Sequence, residues 1–131
     1  MRQQLPALVL IALLAGCAVE PGGEASPVPE SPGHFEALGQ EPGWLLEIRR
    51  EGKIAFDYNY GQEQLVVSTP EPEWDNDGHL VYHSQSSAQD LQVTLIEEQC
   101  TDVMSGRRFP FTVIVRLDGE RFEGCGNPTD P

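Results

Sequence analysis

The chain has 131 residues, with 21 Asp and Glu against 8 Lys and Arg, for a formal net charge of −13 at pH 7. That balance argues against a nucleic-acid binder and against adsorption to anionic lipid, since both need Lys/Arg surfaces. It fits a basic protein partner, cations, or an acidic surface kept for solubility, and the length allows one small domain with a tether.

Residues 1–16 have the form of an export signal. A positive start at Arg2 is followed by the apolar run 5–15 and by small residues. The run is too short to span a bilayer, which needs about 20 residues. Leu14-Ala15-Gly16-Cys17 resembles the lipobox of bacterial lipoproteins. The resemblance implies a diacylglycerol on the Cys17 sulfur, loss of residues 1–16 and a lipid-anchored mature chain. Ala18 at the next position implies the outer membrane, facing the periplasm. Residues 17–33 are rich in Pro, Gly, Ser and Glu without periodicity, and read as a disordered tether. The domain is expected over 34–131.

From residue 35 the pattern is two-residue alternation broken by turn residues, which predicts short strands. They are expected at 35–38, 44–50, 53–60, 64–69, 79–84, 91–98, 109–117 and 121–124. Turns are expected at 40–43, at Glu51-Gly52 and at Asp118-Gly119, with an acidic loop over 70–78. Trp44, Leu46 and Ile48 share one face; so do Ile54, Phe56, Tyr58 and Tyr60, and so do Phe109, Phe111, Val113, Val115 and Leu117. No segment keeps a helical period. The expected fold is all-β, a small antiparallel barrel of about eight strands, with the aromatics mostly in its core.

With Cys17 set aside, Cys100 and Cys125 remain, and a leftover pair in an oxidising compartment usually forms a disulfide. A metal pair or a redox pair are the alternatives; there is no C-x-x-C and no His nearby in sequence. His79 and His83 would lie about 13 Å apart on a strand, too far for one ion. Asp75-Asn76-Asp77-Gly78 fails the EF-hand frame, with Leu80 sixth and Ser86 twelfth, and reads as a turn. No metal, cofactor or catalytic residue is expected. Ser105 lacks the G-x-S-x-G context of a nucleophile. The segment 100–110 combines a cysteine, Ser105-Gly106 and two of the eight basic residues. Asp102 could bridge Arg108 across it. Asp102, Ser105, Arg107 and Arg108 are the candidate partner-binding residues, on a loop mobile at Ser105-Gly106.

Two segments resemble a family of uncharacterised bacterial envelope lipoproteins. One is Phe35-x-Ala37-x-Gly39-x-Glu41-Pro42-Gly43-Trp44-x-Leu46-x-Ile48. The other is Cys100-x-Asp102-x-Met104-Ser105-Gly106-x-x-Phe109-Pro110-x-x-Val113, ending in Gly124-Cys125-Gly126. The resemblance implies an envelope location and a Cys100–Cys125 bond, and brings no activity. A looser similarity is to the membrane-bound inhibitors of c-type lysozyme, small lipid-anchored β-barrels that push a loop into the enzyme's cleft. Their Ser- and Lys-bearing motifs do not map cleanly, and Lys53 is the single lysine here. The expected function is a non-enzymatic, lipid-anchored binding or structural module, with a basic, lysozyme-like enzyme as the sharpest partner. The alternatives are an envelope maintenance lipoprotein, a small-ligand-binding barrel, and a hydrolase using unmarked carboxylates.

Overall fold

The computed structural model of the chain describes Gly16 and residues 30–129. The rest of the signal segment, Cys17 and most of the tether lie outside the described residues. The alternating segments form strands β1 (His34–Gly39), β2 (Trp44–Arg49), β3 (Lys53–Tyr58), β4 (Glu63–Ser68), β5 (Glu73–Trp74), β6 (Leu80–Gln85) and β7 (Asp90–Ile96). There follow β8 (Cys100–Thr101), β9 (Arg108–Phe109), β10 (Phe111–Leu117) and β11 (Glu120–Pro128), with no helix among the described residues.

Nine of these strands make one antiparallel sheet in the order β4-β3-β2-β1-β11-β10-β7-β6-β5. The sheet is strongly curled, so the fold is an all-β half-barrel with one disulfide. The order begins at β4 and ends at β5, and the curl stops short of a ring. β1 and β11, near the two ends of the chain, lie side by side from Phe35↔Pro128 to Gly39↔Gly124. The remaining two strands, β8 and β9, form a separate ribbon. It is an excursion between β7 and β10.

Alternation puts one apolar row per strand inside the curl. Phe35, Trp44, Leu46, Ile48, Ile54 and Phe56 meet Tyr82, Val93, Val113 and Phe122 there. Phe56 stacks on Tyr58 at 5.1 Å and meets Phe122 edge-on at 5.2 Å. At 1.5–3 kcal/mol for each large side chain fully buried, this row set is the main favourable term in folding. The expected Asp118-Gly119 hairpin is present, and it is type I′: both residues have positive φ, at 50° and 86°.

Beside β8, which is not among the expected strands, and β11, which runs on to Pro128, the structure departs from the expected elements in three places. β3 ends at Tyr58, because Asn59 and Tyr60 adopt positive φ and turn the chain. Tyr60 therefore leaves the core face and stands 73 % exposed. Asn tolerates that region better than most residues, and the alternating pattern does not register it. The acidic loop contains a two-residue edge strand, β5, paired to Val81 and Leu80. The run 109–117 is broken at Pro110, so Phe109 belongs to the ribbon and not to the barrel interior.

The β1–β11 seam depends on two small residues. A Cβ on Gly124 would collide with the Leu38 carbonyl oxygen and lie 2.8 Å from the Gly39 Cα. A Cβ on Gly39 would run into the Trp44 indole and lie 2.8 Å from the Glu123 carbonyl oxygen. The facing pair Gly39↔Gly124 thus lets Trp44 lie flat over the seam.

Candidate functional site

Cys125 alternates with the core-facing Phe122 and Gly124, and so points to the outer face of β11. There it bonds Cys100 at a Cα–Cα distance of 5.4 Å, pinning the ribbon to the outside of the sheet. The ribbon's pairing, Cys100↔Phe109 and Thr101↔Arg108, sets the two ends of the loop 102–107.

The loop is braced from within. Asp102 is 7 % exposed, and its Oδ2 accepts the Ser105 hydroxyl at 2.6 Å and the Ser105 N–H at 3.0 Å. The Asp102 N–H donates to the Arg107 carbonyl at 2.9 Å, and the Gly106 N–H to the Asp102 carbonyl at 2.8 Å. The Ser105 hydroxyl oxygen also accepts the Arg107 N–H at 3.2 Å. The Ser105 hydroxyl and N–H hold the Asp102 carboxyl below the usual carboxylate range, Gln40 and the Met104 N–H add to the effect, and partial burial pushes the other way. The expected Asp102–Arg108 bridge is not made: the Asp102 carboxylate turns inward to Ser105. The expected mobile hinge at Ser105-Gly106 is instead a hydrogen-bonded turn, with Gly106 at φ 70°. Arg107 folds back over the Phe109 ring, 4.7 Å from its centroid, and Arg108 is exposed. The residues carried outward are Val103 and Met104, 84 % and 71 % exposed.

Beside the ribbon lies a groove of about 400 Å³. Its floor is the outer face of β1, β2 and β3, where register makes two cross-strand rows. One is Leu38–Leu45–Asp57 and the other Glu36–Glu47–Ala55. Arg107 and Phe109 form the wall on the ribbon side. Leu45, the second residue of the inner strand β2, is 58 % exposed. A second hollow, running past Tyr60 and Gly43, shares Leu38, Leu45 and Asp57 with the first. A third reaches from Gln40 to Asp102 and Val103.

The remaining candidates lie elsewhere. Asp75, Asp77 and His79 converge within 4.8 Å. Asp75 Oδ1 accepts the N–H groups of Asp77 and His79 at 2.9 and 2.8 Å, which lowers its pKa and makes the expected turn. His83 pairs with Asp90 at 2.6 Å, so the two histidines of β6 and its entry serve different partners. Val103 and Met104 are not among the expected partner-binding residues, although Met104 stands in the resemblance motif, because two adjacent apolar residues carry no period. Their place between a cysteine and Ser105-Gly106 was the available signal.

Comparison with protein-family models, with curated proteins and with solved structures gives no match.

Proposed function

We propose that this protein is a lipid-anchored, non-enzymatic binding module of the bacterial envelope. It presents the loop 102–107 to a protein partner. The observation that carries the reading is the pair Val103 and Met104, held out to solvent on a loop fixed by a disulfide and by Asp102–Ser105. Exposed apolar residues on a rigid loop lose little conformational freedom on binding, and fully burying each contributes roughly 1.5–3 kcal/mol. Asp102 and Ser105 spend their polar atoms on the brace, which supports a scaffold role for them. The charge of −13 favours a basic partner, a c-type lysozyme among them. Leu14-Ala15-Gly16-Cys17 supports the anchor, and Ala18 the outer membrane.

Two assays test the reading. In the first, the protein is titrated against c-type lysozyme and residual activity is followed. In the second, wild type and the Val103→Asp/Met104→Asp variant capture partners from envelope extract. A partner lost at least tenfold in the variant, with Tm unchanged, is the expected result, whether or not lysozyme is that partner. Equal capture by both proteins refutes the loop as the working surface.

A further inference from the structure

We infer that the outer-face groove beside the ribbon receives a basic, apolar-flanked segment of the partner: a Lys or Arg side chain next to a leucine-sized one. The inference rests on the protein-binding reading above and names the chemistry of what is bound. The first observation is the arrangement of charge. Glu36 and Glu47 stand directly opposite each other on β1 and β2. Like charges in that position destabilise a sheet. Arg49 Nε, at 2.6 Å from Glu47, offsets the repulsion only from one end, where the His34 ring also lies, its Nε2 3.2 Å from Glu47 and 3.9 Å from Glu36. Asp57 adds a third carboxylate across the floor, with Gln64 as its hydrogen-bond donor at 2.7 Å. Arg107, the cation on the wall, is stacked on Phe109.

The second observation is the apolar floor between those acids. Leu38 and Leu45 face each other across β1 and β2, Ala55 lies diagonal to Leu45 on β3, and Phe109 lines the same groove. A solvated outer face does not need a leucine more than half exposed at its centre. A cationic side chain with an aliphatic neighbour satisfies both parts at once: its charge meets Glu36, Glu47 and Asp57, and the neighbour covers Leu45. The chain's own tether does not fit, since residues 18–29 carry Glu20 and Glu24 and neither Lys nor Arg. A second copy does not fit either, because it brings the same acidic face and the same net charge.

The test uses the full chain, ¹⁵N-labelled in non-ionic detergent, and a short acetylated peptide of alternating lysine and leucine. A peptide with glutamate in place of lysine is the control. The lysine peptide is expected to shift the amides around Leu38, Leu45 and Arg107 saturably, and more weakly as salt is raised. Leu45→Ser and Glu36→Gln should each weaken binding about fivefold or more. Glu36→Gln should also leave Tm equal or higher, because it removes the cross-strand repulsion. The Val103→Asp/Met104→Asp variant should keep saturable binding of the peptide, with shifts at the same groove amides. Binding at the groove with unchanged partner capture by that tip variant supports the groove and sinks the loop. Shifts elsewhere, no saturation, equal binding of the glutamate peptide, or indifference to Leu45→Ser and Glu36→Gln overturns the groove, whatever the loop does.

Discussion

Asp102 shows how one side chain holds a surface in place. Its carboxylate is bound to two donors of Ser105, and its pKa is lowered for that reason. A carboxyl lowered in the folded state adds stability above its unfolded pKa, near 4, and the gain disappears as pH falls through the lower folded value. Asp102→Asn should therefore lower Tm at pH 7, and the gap to wild type should close on acidification below pH 4. Asp75, lowered by its own N–H donors, titrates in both proteins and cancels in the difference. Thermal melts across that range decide it: a gap independent of pH would mean that the charge of Asp102 does not hold the loop. The Asp102-x-x-Ser105 spacing was visible in the sequence, and the candidate list included both residues. Their roles were not visible, because a turn that returns Ser105 to Asp102 is a matter of backbone path.

The ribbon β8–β9 owes its position to a covalent tie. Two-residue strands are too short to hold themselves against the sheet by pairing alone. The Cys100–Cys125 bond closes a separation of 25 residues. A bond over such a loop contributes about 3 kcal/mol, mainly by restricting the unfolded chain. Cys100→Ala/Cys125→Ala should lower stability by about that amount while the far-UV strand spectrum of the nine-stranded sheet persists. The amides of 101–108 should lose hydrogen-exchange protection selectively. Uniform loss across the sheet would show that the ribbon is integral to the barrel and not an appendage. The long strands were readable because alternation is local and repeated: Trp44, Leu46 and Ile48 face inward as their spacing requires. The ribbon was not readable, because Phe109 continues the alternation of Phe111 and Val113 straight through the break at Pro110.

For the molecule as a whole, the segment just before β1 is held against the domain. Arg50 donates to Glu30 Oε1 at 2.8 Å and to the Ser31 carbonyl, and its N–H reaches the Gly33 carbonyl at 2.9 Å. Residues 30–33 are thus tied to the domain, and residues 18–29 would separate them from a lipid at Cys17. Twelve residues span at most roughly 40 Å. On this reading Cys17→Ser releases the protein from membrane fractions while the unfolding transition of the domain stays unchanged. Sedimentation with membranes in the variant would refute the anchor.

Alternation, turn residues and the cysteine count determined the all-β class, most strand positions, the Asp118-Gly119 hairpin and the disulfide. All but the disulfide depend on side-chain direction or φ preference within a few residues, and the disulfide follows from the count of cysteines. Tertiary structure alone decided three things: that the curl stays a half-barrel, that the ribbon lies on its outer face, and that Leu38, Leu45, Asp57 and Arg107 line one groove. Those residues come from four separated segments. They meet only through strand register and the Cys100–Cys125 tie, and no local pattern in the chain encodes such a meeting.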